Sequence, residues 1–403
     1  MNTALLPRAV PDRGLVPVKG LIRNLDFLLI STTAALVGLG LVMVYSTTHL
    51  SPHPLVYVRS QVLHLLVGSL VALGLLLIDY RALASSARGM YVINLLLLAA
   101  VLVIGRSSLG AQRWISLGPL GQFQPSEFAK LIIVITLAKH LSGSPGPYRS
   151  IRDLLPFLGH IALPIFLIFR QPDLGTAMVY GAIFVGMLYA GGARRRDLAA
   201  LGVAGLVISP VLWHVLKEYQ RRRLLVFVDP ALDPLGSGYG IIQSKIAVGS
   251  GMLWGKGLFN GTQNILRFVP EHHTDFIFSA IGEELGFVGG MILLVVFFLW
   301  ISRGLRIATV ARDRFGALAA VGIVSMVAFH LFVNVGMTVG IMPITGIPLP
   351  FISFGGSALM TMLWATALLL NIGMRHQQLS FDTSPGPPVR VIRRVGGPER
   401  LEE

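Results

Sequence analysis

Ten long apolar runs, separated by more polar segments, constrain this chain more than any other feature. They lie near residues 26–46, 59–79, 89–105, 126–141, 155–171, 175–192, 197–217, 276–302, 317–342 and 354–374. An α-helix of this length crosses ~30 Å of hydrocarbon. Because backbone groups in lipid must be hydrogen-bonded within the protein, such runs adopt helices. The sequence therefore predicts an all-α, polytopic integral membrane protein with about ten transmembrane helices.

The distribution of Lys and Arg between the runs predicts the orientation. With the N-terminus inside, the cytoplasmic segments hold 21 of the 33 Lys and Arg residues, the outer segments hold 11, and Lys130 lies within a span. Positive residues favour cytoplasmic loops. We therefore expect a protein of the cytoplasmic membrane with both termini in the cytoplasm, and a large extracytoplasmic loop, 218–275, between the seventh and eighth helices. The net charge of +14 then reflects orientation and contact with anionic membrane lipids, which argues against nucleic acid as a partner.

The chain divides into a cytoplasmic N-terminal segment (1–25), a transmembrane domain (26–375) and a cytoplasmic tail (376–403). The first span should be retained, because no small-residue cleavage site follows a short apolar region. The tail is rich in Pro, Gly and Arg and cannot bury a core, so we expect it to be disordered.

The chain has no cysteine, which excludes disulfides and thiolate metal sites. No internal repeat of fixed period signals an inverted-repeat transporter.

Charged residues inside or beside spans are expensive and are candidates for function. Glu127 and Lys130 have the i, i+3 spacing that places opposite charges on one helix face. Asp173 follows Pro172 in a tight turn between two spans, and Glu283 lies two turns into the eighth span. For each of these residues the sequence leaves two interpretations open. Either the side chain forms a structural ion pair or hydrogen bond, or it is a polar group that lines a cavity.

The loop 218–275 carries six cations on the side where positive residues are sparse: Arg221, Arg222, Arg223, Lys245, Lys256 and Arg267. One interpretation is tolerance, since long loops cross the membrane regardless of charge. The other is a site for an anionic headgroup such as a pyrophosphate, which Arg and Lys bind well. Glycines at 236–257 permit close backbone approach to such a ligand, and the segment can lie in the interface as half-helical structure.

Asp275 closes this loop, immediately before the apolar run that starts at Phe276. It would make a natural helix N-cap. Alternatively it is a general base at the membrane surface, where partial desolvation raises the pKa of a carboxylate toward a value useful for accepting a proton. The adjacent His272 and His273 do not indicate zinc, because neighbouring histidines point apart and no third ligand has the required spacing.

Six segments of the chain carry recognisable motifs: GAQRWI at 110–115, QPSEFAK at 124–130, QPDLGT at 171–176, the stretch 233–257, FVPEHHTDFIF at 268–278 and GIPLPFISFGGS at 346–357. Together these motifs resemble the SEDS family (shape, elongation, division and sporulation) across nearly the whole chain. Ile347, Pro348 and the segment 171–176 resemble its RodA-like elongation branch more than its division branch.

The resemblance implies a peptidoglycan glycosyltransferase that polymerises lipid II on the outer face of the cytoplasmic membrane. It makes Asp275 the catalytic carboxylate, which takes the proton of the acceptor sugar hydroxyl as undecaprenyl pyrophosphate leaves. The remaining site residues that it suggests are substrate-binding: Arg113, Trp114, Arg223, Lys245, Arg267 and Ser357. Glu127, Lys130, Asp173 and Glu283 become structural or cavity polar groups.

The same resemblance extends to cofactors and partners. It allows a divalent cation, Mg²⁺ or Mn²⁺, to neutralise the leaving group and implies no organic cofactor. It implies a class B penicillin-binding protein with one transmembrane helix as a partner, together with other proteins of the rod-shape complex. Two other function classes remain open from the residues. One is a flippase or transporter for a lipid-linked precursor, because Glu127, Lys130 and Glu283 lie at membrane depth. The other is a noncatalytic scaffold for a penicillin-binding protein.

Overall fold

A computed structural model of the chain describes residues 24–108, 111–116, 122–144, 148, 150–234, 236–266 and 268–375. The expected cytoplasmic segments, up to residue 23 and from residue 376, lie outside the described residues. The candidate residue Arg267 also lies outside them.

The described chain is built from helices, as the apolar runs predicted. They are α1 (Phe27–Thr48), α2 (Pro54–Leu77), α3 (Tyr80–Ile104), α4 (Pro125–Ser142), α5 (Leu155–Arg170), α6 (Leu174–Ala190), α7 (Arg195–Val215), α8 (Glu218–Val228), α9 (Ser237–Ser250), α10 (Thr262–Ile265), α11 (Ile277–Val310), α12 (Arg314–Val339) and α13 (Gly356–Met374). Short 3-10 turns at Ile151–Leu154 and Pro230–Leu232 precede α5 and follow α8.

Seven helices in the described part of the chain are long and apolar enough to cross a membrane. They are α1, α2, α3, α5 with its preceding turn, α11, α12 and α13. The other three predicted spans coincide with α4, α6 and α7; α6 is apolar but only 17 residues long. The protein is thus a multi-pass membrane protein, and the count of ten spans stays a prediction.

Aspartate N-caps fix where several helices begin. Asp26 accepts a hydrogen bond from Leu29 N at 3.0 Å, and Asp313 accepts one from Gly316 N at 2.8 Å. Asp79 starts α3 in the same way, so α3 begins at Tyr80, ahead of the apolar run predicted near 89–105, and Arg81 lies in the first helical turn. Arginine is tolerated there because its long side chain extends from a helix end to water.

A small antiparallel sheet follows α3, in a segment that the sequence placed outside the membrane. It comprises β1 (Arg106–Ser108), β2 (Ala111–Ser116) and β3 (Gln122–Phe123), in the order β1-β2-β3. Arg106 pairs with Trp114, and Ile115 pairs with Phe123. The sheet holds Arg113 and Trp114 on its middle strand.

The two C-terminal helices form the centre of the bundle. In their apolar stretches, 83% of α13 and 61% of α12 is buried, whereas in α2 only 11% is, so α2 lies at the periphery of the bundle. Trp300 of α11 is fully buried and donates from Nε1 to Thr33 Oγ1 of α1 at 3.0 Å. Buried polar pairs of this kind satisfy side chains that lipid cannot.

About half of the expected large loop, 218–275, folds into the helices α8, α9 and α10, and the loop packs on a break in α11. The break is at Gly286, whose φ is 67°. Lys256 N donates to Glu283 O and Phe287 N donates to Met252 O, at 3.0 and 2.8 Å. The segment therefore satisfies backbone groups that the interrupted helix leaves free, which fixes the outer segment on the bundle.

Candidate active site

Asp275 lies just before α11 and faces a cavity rather than capping the helix. The N-cap position of α11 is Phe276, and it has no side-chain capping hydrogen bond. The capping interpretation of Asp275 is therefore not supported. The carboxylate is partly exposed to the cavity, and no hydrogen bond from the described residues engages it.

Hydrogen bonds from buried side chains hold the backbone around Asp275. Asn334 of α12 is fully buried and donates from Nδ2 to Asp275 O and to Ile347 O, both at 2.8 Å. Ser353 Oγ donates to Thr274 O at 2.7 Å. These contacts join the segment before α11 to the segment before α13, so they set the position of Asp275 relative to the opposite wall.

The cavity in front of Asp275 has a volume of about 300 Å³. It is lined by side chains from segments that are far apart in sequence, and Arg113, Trp114, Arg223 and Ser357 of the predicted site contribute to it. The full lining is Arg113, Trp114, Gln122, Gln124, Tyr219, Arg223, Glu271, Thr274, Asp275, Gly346, Pro348, Phe354, Gly355, Ser357 and Ala358. Two arginines, two carboxylates and several hydrogen-bonding groups thus meet in one space.

Arg113 is held in place by the turn before α6. Its Nη1 lies 3.7 Å from Asp173 Oδ1, and its guanidinium donates to Pro172 O. Asp173 in turn caps α6, accepting from Thr176 N at 3.0 Å and Thr176 Oγ1 at 2.9 Å. Asp173 is therefore a structural residue that orients a cavity cation.

Arg223 approaches the cavity from α8 and Gly346 from the segment before α13. The guanidinium carbon of Arg223 lies 5.8 Å from the ring centre of Tyr219, whose hydroxyl donates to Pro172 O at 2.7 Å. A Cβ added to Gly346 would lie 3.3 Å from Asp275 Oδ2 and 3.8 Å from Arg223 Nη1. Gly346 has a φ of 74°, so glycine suits both the backbone conformation and the close approach.

Burial raises the pKa of Asp275 from 3.8 to about 6. Arg223 opposes this rise because its positive charge favours the carboxylate, while Glu271 adds to it. A carboxylate of this pKa is mostly ionised at neutral pH and is a stronger base than an ordinary aspartate. The arrangement can therefore accept a proton beside a cationic surface.

The other predicted substrate-binding residues lie elsewhere or outside the described chain. Ser357 is buried at the cavity wall, where its Oγ accepts from Gln124 N at 3.1 Å. Lys245 does not line this cavity; it is exposed on α9 and its side chain passes close to Gly340. Its role in substrate binding stays a prediction, as does that of Arg267.

Glu127 and Lys130 form the ion pair that their spacing predicted. Lys130 Nζ lies 2.7 Å from Glu127 Oε1 and 3.2 Å from Nε2 of His330 on α12, and all three side chains are buried. The residues do not line the cavity of Asp275. The geometry favours the structural interpretation, in which the pair joins α4 to α12.

Glu283 is also structural in its contacts. Its fully buried carboxylate accepts from Lys256 Nζ at 2.7 Å, from Thr262 Oγ1 at 3.1 Å and from Gln263 N at 3.0 Å. It therefore fastens the outer segment at the break in α11 and does not contribute to the cavity of Asp275.

A metal would find two carboxylates in the cavity, those of Glu271 and Asp275. No group of three His, Cys, Asp or Glu residues gathers within the described residues. The rings of the two adjacent histidines are engaged elsewhere; the nitrogens of His272, for example, lie 2.9 Å from Val269 O and 3.0 Å from Thr47 O. A closed protein-only metal site is thus not formed by the described residues.

Sequence reasoning missed Asn334, Gly346 and Tyr219 as individual site residues. Asn334 had a signal, because a polar side chain inside an apolar run requires a partner. Gly346 was visible only as part of a glycine- and proline-rich motif, and Tyr219 had no signal at all. Their contacts to the site depend on packing between distant segments.

Comparisons with known proteins match most of the chain. The family model of cell cycle proteins that covers FtsW, RodA and SpoVE matches residues 27–378. The peptidoglycan glycosyltransferase MrdB of Escherichia coli K12 is 42% identical over 292 residues, which cover 72% of this chain and 78% of that protein. Stage V sporulation protein E of Bacillus subtilis strain 168 is 38% identical over 356 residues, covering 86% and 96%.

Two solved structures share the fold. A chain from a peptidoglycan synthase complex, studied for its coordination of polymerization and crosslinking, has a TM-score of 0.75 and 35% identity over 88% of this chain and 99% of its own length. The rod shape determining protein RodA of Thermus thermophilus has a TM-score of 0.66 and 32% identity, covering 88% of this chain and 98% of its own.

Proposed function

Because the chain belongs to the FtsW/RodA/SpoVE family of cell cycle proteins and is a peptidoglycan glycosyltransferase, we propose that it polymerises lipid II with Asp275 as the general base. The observation that supports this role is the position of Asp275. Its carboxylate faces a cavity that Arg113 and Arg223 also line, and burial raises its pKa to about 6.

In the proposed reaction Asp275 takes the proton from the hydroxyl of the acceptor sugar. The oxygen forms a bond to the anomeric carbon of the donor, and the bond from that carbon to the pyrophosphate oxygen breaks. Undecaprenyl pyrophosphate leaves with the bonding electrons, and Asp275 later releases its proton to water. The carboxylate acts as a base rather than as a nucleophile, so the glycan is transferred in one step.

Arg113 and Arg223 are the proposed contacts of the pyrophosphate. Both side chains line the cavity, and guanidinium groups bind phosphate oxygens in forked geometry. The negative charge on the pyrophosphate grows as the glycosidic bond breaks, so fixed cations stabilise the transition state more than the ground state. Trp114 and Ser357 would contact the sugars from the same wall.

A divalent cation, Mg²⁺ or Mn²⁺, is part of the proposal. Mg²⁺ is often bound by one or two carboxylates together with substrate phosphates, and Glu271 and Asp275 are the carboxylates available in the cavity. When bound, it would neutralise the leaving pyrophosphate. No organic cofactor is expected.

The proposed topology has both termini in the cytoplasm and the cavity on the outer face of the cytoplasmic membrane. This follows from the distribution of Lys and Arg, 21 on the cytoplasmic side against 11 outside. The lipid tail of the donor would stay in the bilayer while its headgroup reaches Asp275. The strands made here would be crosslinked by a class B penicillin-binding protein, within a complex that includes other rod-shape proteins.

Purified protein with lipid II tests the assignment. Asp275→Asn should abolish glycan chains while lipid II still binds, because the variant keeps the size of the side chain and loses the base. Glu218→Gln removes an exposed carboxylate from α8, which is not a cavity residue, and should polymerise normally.

Other outcomes would favour the alternatives. Normal polymer from a folded Asp275→Asn preparation would refute the base. Translocation of the headgroup without polymer would indicate a flippase. Polymer that forms only with an active partner synthase, and is unaffected by Asp275→Asn, would indicate a scaffold.

A further inference from the structure

A second cavity lies at the other end of α4 from the proposed active site. Gln124, just before α4, lines the cavity of Asp275, whereas Lys139 and His140 near its C-terminal end line this one. The intervening helix of some fourteen residues spans about 21 Å, at 1.5 Å per residue. The second cavity therefore opens toward the opposite face of the membrane.

This cavity is strongly basic. Its volume is about 690 Å³, and its lining is Ala87, Arg88, Tyr91, Val92, Thr136, Lys139, His140, Gly143, Ser144 and His160. No acidic residue occurs among these lining residues. Within the described part of the chain, neither Arg88 nor Lys139 has an ion-pair partner, and both side chains are exposed. The two cations are available to an anion from outside.

Polar contacts give the wall of the cavity a fixed shape. The rings of Tyr91 and His160 stack with their centres 4.2 Å apart, and Tyr91 Oη donates to His160 O at 2.7 Å. Thr136 Oγ1 lies 3.0 Å from His160 Nε2. The cavity is thus formed by packed side chains of α3, α4 and α5 and is not only a gap between surface lysines.

A neighbouring cavity extends the basic surface. Its volume is about 480 Å³; it shares Lys139 and adds Arg81 and Arg312. Asp313 also lines it and lies 3.4 Å from Arg81 Nε, so it offsets part of that charge. The net charge around Lys139 remains positive.

An apolar surface continues from the basic cavity along the outer faces of α3 and α5. Val92 lines the cavity and is 54% exposed, and Leu96, one turn further along α3, is 64% exposed. Leu163, three residues after His160 on α5, is 47% exposed. A ligand with a phosphate and acyl chains would find a cationic surface for its head and an apolar surface for its chains.

We propose that Arg88 and Lys139, with Tyr91, His140 and His160, form a binding site for the headgroup of an anionic phospholipid of the cytoplasmic leaflet. Basic pockets between membrane helices on that side bind such headgroups. The site does not depend on the proposed role of Asp275, because the two cavities are at opposite ends of α4.

Titration of the full-length protein in neutral detergent with labelled phosphatidylglycerol tests the site. Each cation contributes about a fivefold change in affinity, so Arg88→Gln/Lys139→Gln should weaken binding roughly 30-fold. Arg196→Gln is the control for charge: it removes an exposed arginine at the start of α7, outside the cavity. It should change the affinity less than twofold. Arg88→Lys/Lys139→Arg retains the charge and should bind as the wild type does.

The proposal is overturned if phosphatidylcholine binds as tightly as phosphatidylglycerol, or if the double variant loses no more affinity than Arg196→Gln. Competition by soluble glycerol 3-phosphate as effective as that by the phospholipid would also overturn it, because the ligand would then be a free phosphate. Polymerisation of lipid II by the double variant, which leaves the cavity of Asp275 intact, reports whether the preparation is folded.

Discussion

The raised pKa of Asp275 carries a cost in stability that can be measured. In the unfolded chain the carboxylate titrates near 3.8, and in the folded protein near 6. Between these values the folded state holds the proton more tightly, so folding is penalised progressively as the pH rises from about 4 to about 6. Above about 6 the full penalty applies, and below about 4 it vanishes.

The size of this penalty follows from the two pKa values. One pKa unit corresponds to about 1.4 kcal/mol, so the difference between 3.8 and about 6 corresponds to about 3 kcal/mol at neutral pH. The carboxylate is partly exposed, and an amide also loses water on burial, so Asp275→Asn should gain about 1–3 kcal/mol. For a chain of this size that is a rise in melting temperature on the order of a few degrees.

Thermal unfolding in detergent at several pH values measures the effect. At pH 8 Asp275→Asn should melt above the wild type, and at pH 4.5 the difference should shrink to about a third of that size. Glu218→Gln removes a carboxylate whose side chain is 88% exposed and should stay within about 0.5 kcal/mol of the wild type at both pH values. No gain at pH 8, or a gain of equal size at pH 4.5, would refute the argument that burial of a charge shifts this pKa.

Four further expectations follow from the site and the bundle. The rate of polymerisation at low lipid II concentration should rise with pH and reach half its maximum near pH 6, the pKa of Asp275; a flat profile between pH 5 and 7 would contradict the base. Asn334→Leu should lower kcat at least tenfold and leave KM near the wild type, because the lost hydrogen bonds hold Asp275 and not the substrate; steady-state kinetics separate the two, and an unchanged kcat would contradict this role. Gly346→Ala should destabilise the protein by about 1–2 kcal/mol and slow polymerisation, since it strains a positive φ and crowds the carboxylate; a fully active variant would show that the approach is not required. Lys130→Met should cost about 3–5 kcal/mol by leaving the buried charge of Glu127 unpaired, and adding Glu127→Gln should restore much of the loss; melting curves that show additive losses would argue against the pair.

Local sequence predicted the features that depend on near neighbours along the chain. The lengths of the apolar runs predicted the helices. The i, i+3 spacing predicted the ion pair of Glu127 and Lys130, because helical geometry alone brings such side chains together. α3 starts at Tyr80, well before the apolar run predicted near 89–105, because apolar content marks the lipid-buried part of a helix and not its polar terminal turns.

The cavity in front of Asp275 could be anticipated from sequence only through family resemblance. The resemblance placed Arg113, Arg223, Asp275 and Ser357 in one site, and the structure brings these four to one cavity. It placed Lys245 there as well, but the orientation of α9 leaves that side chain exposed and outside the lining. No property of the segment around Lys245 specifies which way it faces.

The sequence by itself thus determined the membrane class, the helices and the position of Asp275 at the mouth of one of them. Tertiary structure decided which interpretation of each polar residue holds: Asp275 faces a cavity, while Asp173 and Glu283 orient or fasten other groups. The physical reason is the distance along the chain between the groups that specify each feature. A helix or a cap is specified by groups within one turn, whereas the partner of a buried charge and the environment that shifts a pKa are set by packing between helices far apart in the chain.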